Sequence, residues 1–110
     1  MMWHVRLSAY AEKDLKGFDR YHQKIIDKAI KKVVQNPGAD GYGNLLGNKS
    51  GNALHGLYKI NLKKFGIRIA YALIQVENEM LVIIIGARAY DEVYDLVAKR
   101  YTRMQSHEEV

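Results

Sequence analysis

GLYKINLKKFGIRIAYAL, residues 56–73, is the stretch that decides the fold. Tyr58, Ile60 and Leu62 alternate with Lys59, Asn61 and Lys63, the two-residue period of a strand with one buried face. A tight two-residue turn at Phe65 and Gly66, with Gly66 supplying a positive φ, predicts a hairpin. In that register Lys63 lies opposite Arg68, Asn61 opposite Ala70 and Lys59 opposite Ala72. One face gathers Tyr58, Ile60, Leu62, Ile69, Tyr71 and Leu73. The other carries Lys59, Lys63 and Arg68 beside two alanines. Like charges directly across a sheet are unfavourable, so Lys63 beside Arg68 costs stability unless an anion lies between them. Small alanines behind long cations also leave a concavity. The face either holds a polyanion or is simply solvated, and charge pattern alone does not separate the two.

Downstream, a three-residue loop at Glu77–Glu79 pairs Val76 with Met80 and sets Arg88 opposite Arg68. A two-residue loop sends Arg88 to the other face, because one register step flips every side chain. MLVIIIGAR (Met80–Arg88) is apolar on both faces, as expected of a central strand. A last helix opens with Asp91 as N-cap and carries Val93, Leu96 and Val97 as its apolar stripe. Tyr94, one turn into it, can approach the basic face from the strand's end.

Upstream, WHVRL (Trp3–Leu7) alternates like a half-buried strand. Ser8 caps a helix from Ala9 to Lys16, before Gly17. A second helix runs from Asp19 to Asn36, with Ile25, Ile26, Ala29, Ile30, Val33 and Val34 at helical spacing, and Pro37 stops it. These two helices form an αα-hairpin with one apolar side, which a sheet would cover. Gly38–Gly56 holds six glycines and no sustained period, so it reads as a long loop. The fold class expected is α+β: strand, αα-hairpin, three-stranded antiparallel meander and C-terminal helix. One domain covers residues 1–104, with a polar, disordered tail at 105–110.

Seventeen Lys plus Arg against twelve Asp plus Glu give a formal charge of +5 over 110 residues, a field that favours polyanionic partners. With no cysteine, disulfides and thiolate metal sites are excluded. The start lacks a signal-peptide pattern, and MLVIII is far too short to span a bilayer, so a cytoplasmic protein without membrane partners is expected. The scattered histidines show no zinc spacing, and no carboxylate cluster suggests magnesium. A Lys/Arg cluster with a tyrosine suits metal-free phosphodiester chemistry. The cations stabilise negative charge in the transition state and lower the pKa of a neighbouring phenol or ammonium.

From VRLSAYAEKDLKGF to YDEVYDLVAKRY, and most specifically in LLG, YKINLKKFGIRIAY and IGARAYDEVY, the chain resembles the RelE-type toxins of the RelE/ParE superfamily. The resemblance implies the toxin of a toxin–antitoxin pair: a ribonuclease, free of metal or other cofactor, that cuts mRNA on the ribosome using the RNA's own 2′-hydroxyl. It implies Lys59, Arg68, Arg88 and Tyr94 as catalytic residues, with Asn61, Lys63, Lys64 and Arg6 as RNA contacts. It also implies a cognate antitoxin as partner. One position departs: the second lysine of the family's Y-K-I-K-L strand is Asn61 here, so a cation is lost, and Lys63 on the same face could compensate. The ParE branch shares the fold but poisons DNA gyrase, and it does not generally keep the set Lys59, Arg68, Arg88 and Tyr94; a catalytically weakened relative, with the Asn61 departure reducing activity, is the other alternative. An RNA-binding module without cleavage is the third reading.

Overall fold

A computed structural model of the chain describes residues 2–45, 57–86, 99–100 and 102–103. Strand β1 (His4–Leu7) leads into helices α1 (Ala9–Lys16) and α2 (Arg20–Val33). Strands β2 (Asn44–Leu45), β3 (Leu57–Leu62), β4 (Ile67–Ile74) and β5 (Glu79–Gly86) follow. They form one five-stranded sheet in the order β1-β5-β4-β3-β2. The meander is antiparallel, and β1 adds at the far edge, parallel to β5.

Both helix starts follow from capping. The Ser8 hydroxyl accepts from the Ala11 N–H and the Asp19 carboxylate from the His22 N–H, satisfying donors that the first turn leaves orphaned. α2 ends at Val33 rather than Asn36, because the N–H groups of Gln35 and Asn36 reach back only three residues, to Lys32 and Val33, as the chain turns towards Pro37. Ile26, Ile30 and Val33 form its buried stripe against Ile60, Ile67, Ile69, Tyr71, Met80, Val82 and Ile85 of the sheet. A fully buried isoleucine such as Ile26 is worth about 2–5 kcal/mol against alanine.

Four expectations are corrected. Residues 44–45, read as loop, pair with β3 as Asn44↔Lys59 and Leu45↔Tyr58. β1 is an exposed edge rather than a half-buried strand, and Val5 is exposed on it. The last β3–β4 pair is Leu62↔Ile67, which leaves residues 63–66 in the loop instead of a two-residue turn. A two-residue type I′ turn needs a positive φ at both central residues, and Gly66 alone has one here. Lys63–Phe65 instead form a single 3₁₀ turn that Gly66 closes.

The fourth correction is at the next hairpin, where Ile74↔Glu79 and Leu73↔Met80 pair, so Val76 does not face Met80. This register differs in parity from the expected one. An irregularity between Ala70 and Tyr71 leaves Ile83 as an extra residue on β5 and restores the parity, so that Arg68 faces Gly86 rather than Arg88. The bulge sits where β1 ends. Past Val82, side chains take over that edge of β5: the Ser8 hydroxyl and Arg100 donate to the Ile83 carbonyl, and the Asp14 carboxylate accepts from the Ile85 N–H.

Of the expected C-terminal helix, residues 99–100 and 102–103 are helical, and Arg100 is bound to Asp14 at 2.7 Å. Residues 105–110 lie outside the described residues. No described helix is long and apolar enough to cross a membrane.

Candidate functional site

The four-residue loop shifts the hairpin by two residues from the expected register. An even shift keeps every side chain on its face but changes its neighbour. Asn61 now lies opposite Arg68, and Lys59 opposite Ala70. Lys63 is not across from Arg68, so the expected like-charge pair does not exist. It sits with Lys64, exposed, in the 3₁₀ turn at the hairpin tip.

Arg68 therefore stands between Asn61 on β3 and Gly86 on β5, and Lys59 between Asn44 on β2 and Ala70 on β4. Ala70 is fully buried and Gly86 has no side chain, so the two cations project past a low floor. Lys59 and Arg68 are diagonal neighbours, about 7 Å apart at their base, which long side chains span readily. Both are half-buried. An ammonium and a guanidinium so arranged can close on one phosphate, and the Asn61 amide can donate beside them without adding charge.

Asn61 has a physical rationale in this register. A lysine there would oppose Arg68 directly, a like-charge pair that costs stability when no anion is bound. Asparagine removes that cost and gives up one cation.

Arg6 is placed elsewhere. It lies on β1, three strands or about 14 Å across the sheet from β3, and its Nε is 2.9 Å from the Glu79 carboxylate. The structure does not bring it to Lys59 and Arg68. Arg88 and Tyr94 lie outside the described residues. Sequence reasoning missed Asn44, because a two-residue strand inside a glycine-rich stretch has no periodicity to find.

No family model matches the sequence. Over 100 residues the chain is 29% identical to a RelE-like toxin protein of Escherichia coli, covering 91% of this chain and 98% of that one. Among solved structures it is similar to the E. coli toxin RelE, in the free state of an arginine double mutant. That match has a TM-score of 0.72 and 23% identity, over 91% of this chain and 98% of that one. It is also similar to a chain of the E. coli RelBE toxin–antitoxin complex (TM-score 0.64, 18% identity, 79% and 98% covered). A third match is to a chain of the RelBE2 complex of Mycobacterium tuberculosis (0.63, 16%, 80% and 100%). The chain is thus similar in sequence to a RelE-like toxin protein, and its fold is that of the RelE structures.

Proposed function

We propose that the chain is the toxin of a toxin–antitoxin pair and an endoribonuclease that cuts mRNA on the ribosome. The observation that carries this reading is the diagonal pair Lys59 and Arg68 over Ala70 and Gly86, with Asn61 alongside. It is a cationic site on a fold shared with RelE. In the reaction, the RNA 2′-oxygen attacks phosphorus, its proton passes to a base, and the bond to the 5′-oxygen breaks as that oxygen gains a proton. The products are a 2′,3′-cyclic phosphate and a 5′-hydroxyl. Arg68 stabilises charge on the phosphoryl oxygens. A guanidinium, with a pKa above about 12, holds its proton, so its role is electrostatic. Lys59 stands diagonally beside it, able to neutralise the same phosphate or to relay a proton. Arg88 and Tyr94 complete the set that the family resemblance implies, with Lys63 and Lys64 as further RNA contacts.

The RelBE complexes among the similar structures support a cognate antitoxin as partner. Mapping mRNA 5′ ends in a purified translation reaction, with and without the protein, tests the proposal. Cuts that appear only with the protein, leaving 2′,3′-cyclic or 3′-phosphate ends, are expected. Intact mRNA with continued translation overturns it, and a gyrase-supercoiling assay then tests the ParE-like alternative.

A further inference from the structure

The tip of the β3–β4 hairpin meets the start of α2 in a cluster of rings. Tyr21 lies 5.2 Å from His22 and 6.4 Å from Phe65, centroid to centroid, with interplanar angles of 83° and 72°. His22 is 6.1 Å from Phe65, again edge to face. Its Nδ1 is held 2.6 Å from the Asp19 carboxylate, which fixes the ring against which Tyr21 leans. Tyr21 itself is 63% exposed. A large aromatic ring, braced from behind and open in front, is an unusual use of exposed surface.

Two elements distant in sequence bring exposed lysines to this corner. Lys63 and Lys64 immediately precede Phe65 in the turn, and both are exposed. Lys24, also exposed, lies three residues after Tyr21 and so on the same side of α2. The Asp19 charge is committed to the His22 N–H and ring. The corner lies at the hairpin tip, one pair beyond Asn61↔Arg68, on the α2 side of the sheet, so a strand from the candidate site reaches it by crossing the tip.

We propose that this corner is a second, single-stranded RNA contact, with a base stacked on Tyr21 and flanking phosphates held by Lys63, Lys64 and Lys24. An RNA strand lying along Lys59 and Arg68 would leave the sheet over the hairpin tip and reach it. Stacking on an aromatic ring needs a base with a free face, so the contact selects unpaired RNA over duplex. The inference rests on the RNA reading above and adds a place on the path of the strand.

The test is fluorescence anisotropy with a labelled, non-cleavable 2′-O-methyl single strand of about a dozen nucleotides, a length that spans the site sizes of such contacts. A matching strand with abasic residues serves as control. Because neither probe can be cut, binding is read independently of cleavage, and loss of mRNA cleavage alone leaves the result standing. Tyr21→Ala is expected to weaken binding of the full strand about 10-fold, the loss of one base stack, and to leave the abasic strand unaffected. Tyr21→Trp, which keeps a stacking face, is expected to bind at least as tightly as the wild type. The double variant Lys63→Ala/Lys64→Ala is expected to weaken both strands and flatten the salt dependence by about 1.4 in log–log slope. Tyr21→Ala binding within twofold of wild type, or weakening both strands equally, overturns the proposal. So does an acidic peptide that binds the corner through Tyr21 while the single strand does not.

Discussion

The two hairpin tips of the meander have nearly the same backbone and opposite surroundings. Each is a 3₁₀ turn closed by a left-handed residue: Lys63–Phe65 then Gly66 at φ 66°, and Gln75–Glu77 then Asn78 at φ 51°. In each, that residue's N–H reaches back 3.2 Å to the carbonyl of the turn's first residue. The second tip is tied into the sheet, since the Asn78 carbonyl accepts from the His4 N–H at 2.9 Å, and it leaves Val76 almost wholly exposed. The first carries Lys63 and Lys64 and sets Phe65 against Tyr21 and His22. Local backbone chemistry thus makes the tip. The residues on it, and what the fold brings beside it, decide whether it is a scaffold or a surface for a ligand.

The largest expected difference between the two ends is catalytic. Arg68→Ala, one pair from the first tip, is expected to slow single-turnover mRNA cleavage about 100- to 1000-fold, with Lys59→Ala in the same direction. Gln75→Ala at the second tip is expected to leave the rate unchanged. An Arg68→Ala protein that folds and cuts at the wild-type rate breaks the comparison. Next in size is backbone strain. Gly66→Ala and Asn78→Ala each force a less tolerant residue into the left-handed region, and denaturant melts should show about 1–2 kcal/mol lost at either tip. A Cβ at Gly66 meets nothing within 4 Å, so the loss there measures conformation rather than crowding.

A smaller effect is expected for Asn61→Lys. The new lysine faces Arg68, so stability should fall by about 0.2–1 kcal/mol in chloride and recover in phosphate, where an anion can lie between the two. Equal stability in both salts would mean that the face does not gather anions. The smallest effect concerns the support beneath the first tip. The His22 N–H, and then its ring, hold the Asp19 carboxyl below its usual range. The stabilisation from that charge is complete above the unfolded carboxyl's pKa and is lost as pH falls through the lower, folded value. Asp19→Asn keeps a capping acceptor but not the charge, so its melting temperature should trail the wild type at neutral pH and converge with it only as pH falls through the lowered, folded value. A gap independent of pH would show that the carboxylate charge contributes nothing.

Much of this was legible in residues 56–73, and the reason is periodicity. Alternation put Lys59, Asn61 and Arg68 on one face, and the even shift of register left that assignment intact. The neighbours were not legible. The turn was read as two residues because Phe-Gly looks like a tight hairpin, and only the backbone reveals the 3₁₀ turn that starts at Lys63. The same reading set Lys63 against Arg68, where Asn61 stands. At the second hairpin an odd shift and a bulge offset one another, which no local pattern encodes.

By itself, the sequence determined the elements whose causes are local. These are the Ser8 cap, the apolar stripe of α2, the strand alternation of β3 and β4, and a left-handed residue at Gly66. Tertiary structure decided everything that joins distant segments. β1 seats parallel to β5, and Asp14 and Arg100 close the β5 edge past the bulge. Gly86 lies beside Arg68, and Tyr21 stands against Phe65. Caps and alternation act over a few residues and leave a mark in composition. Register and docking are set by whichever long-range packing buries the most apolar surface with its hydrogen bonds satisfied, and that choice belongs to the whole chain at once.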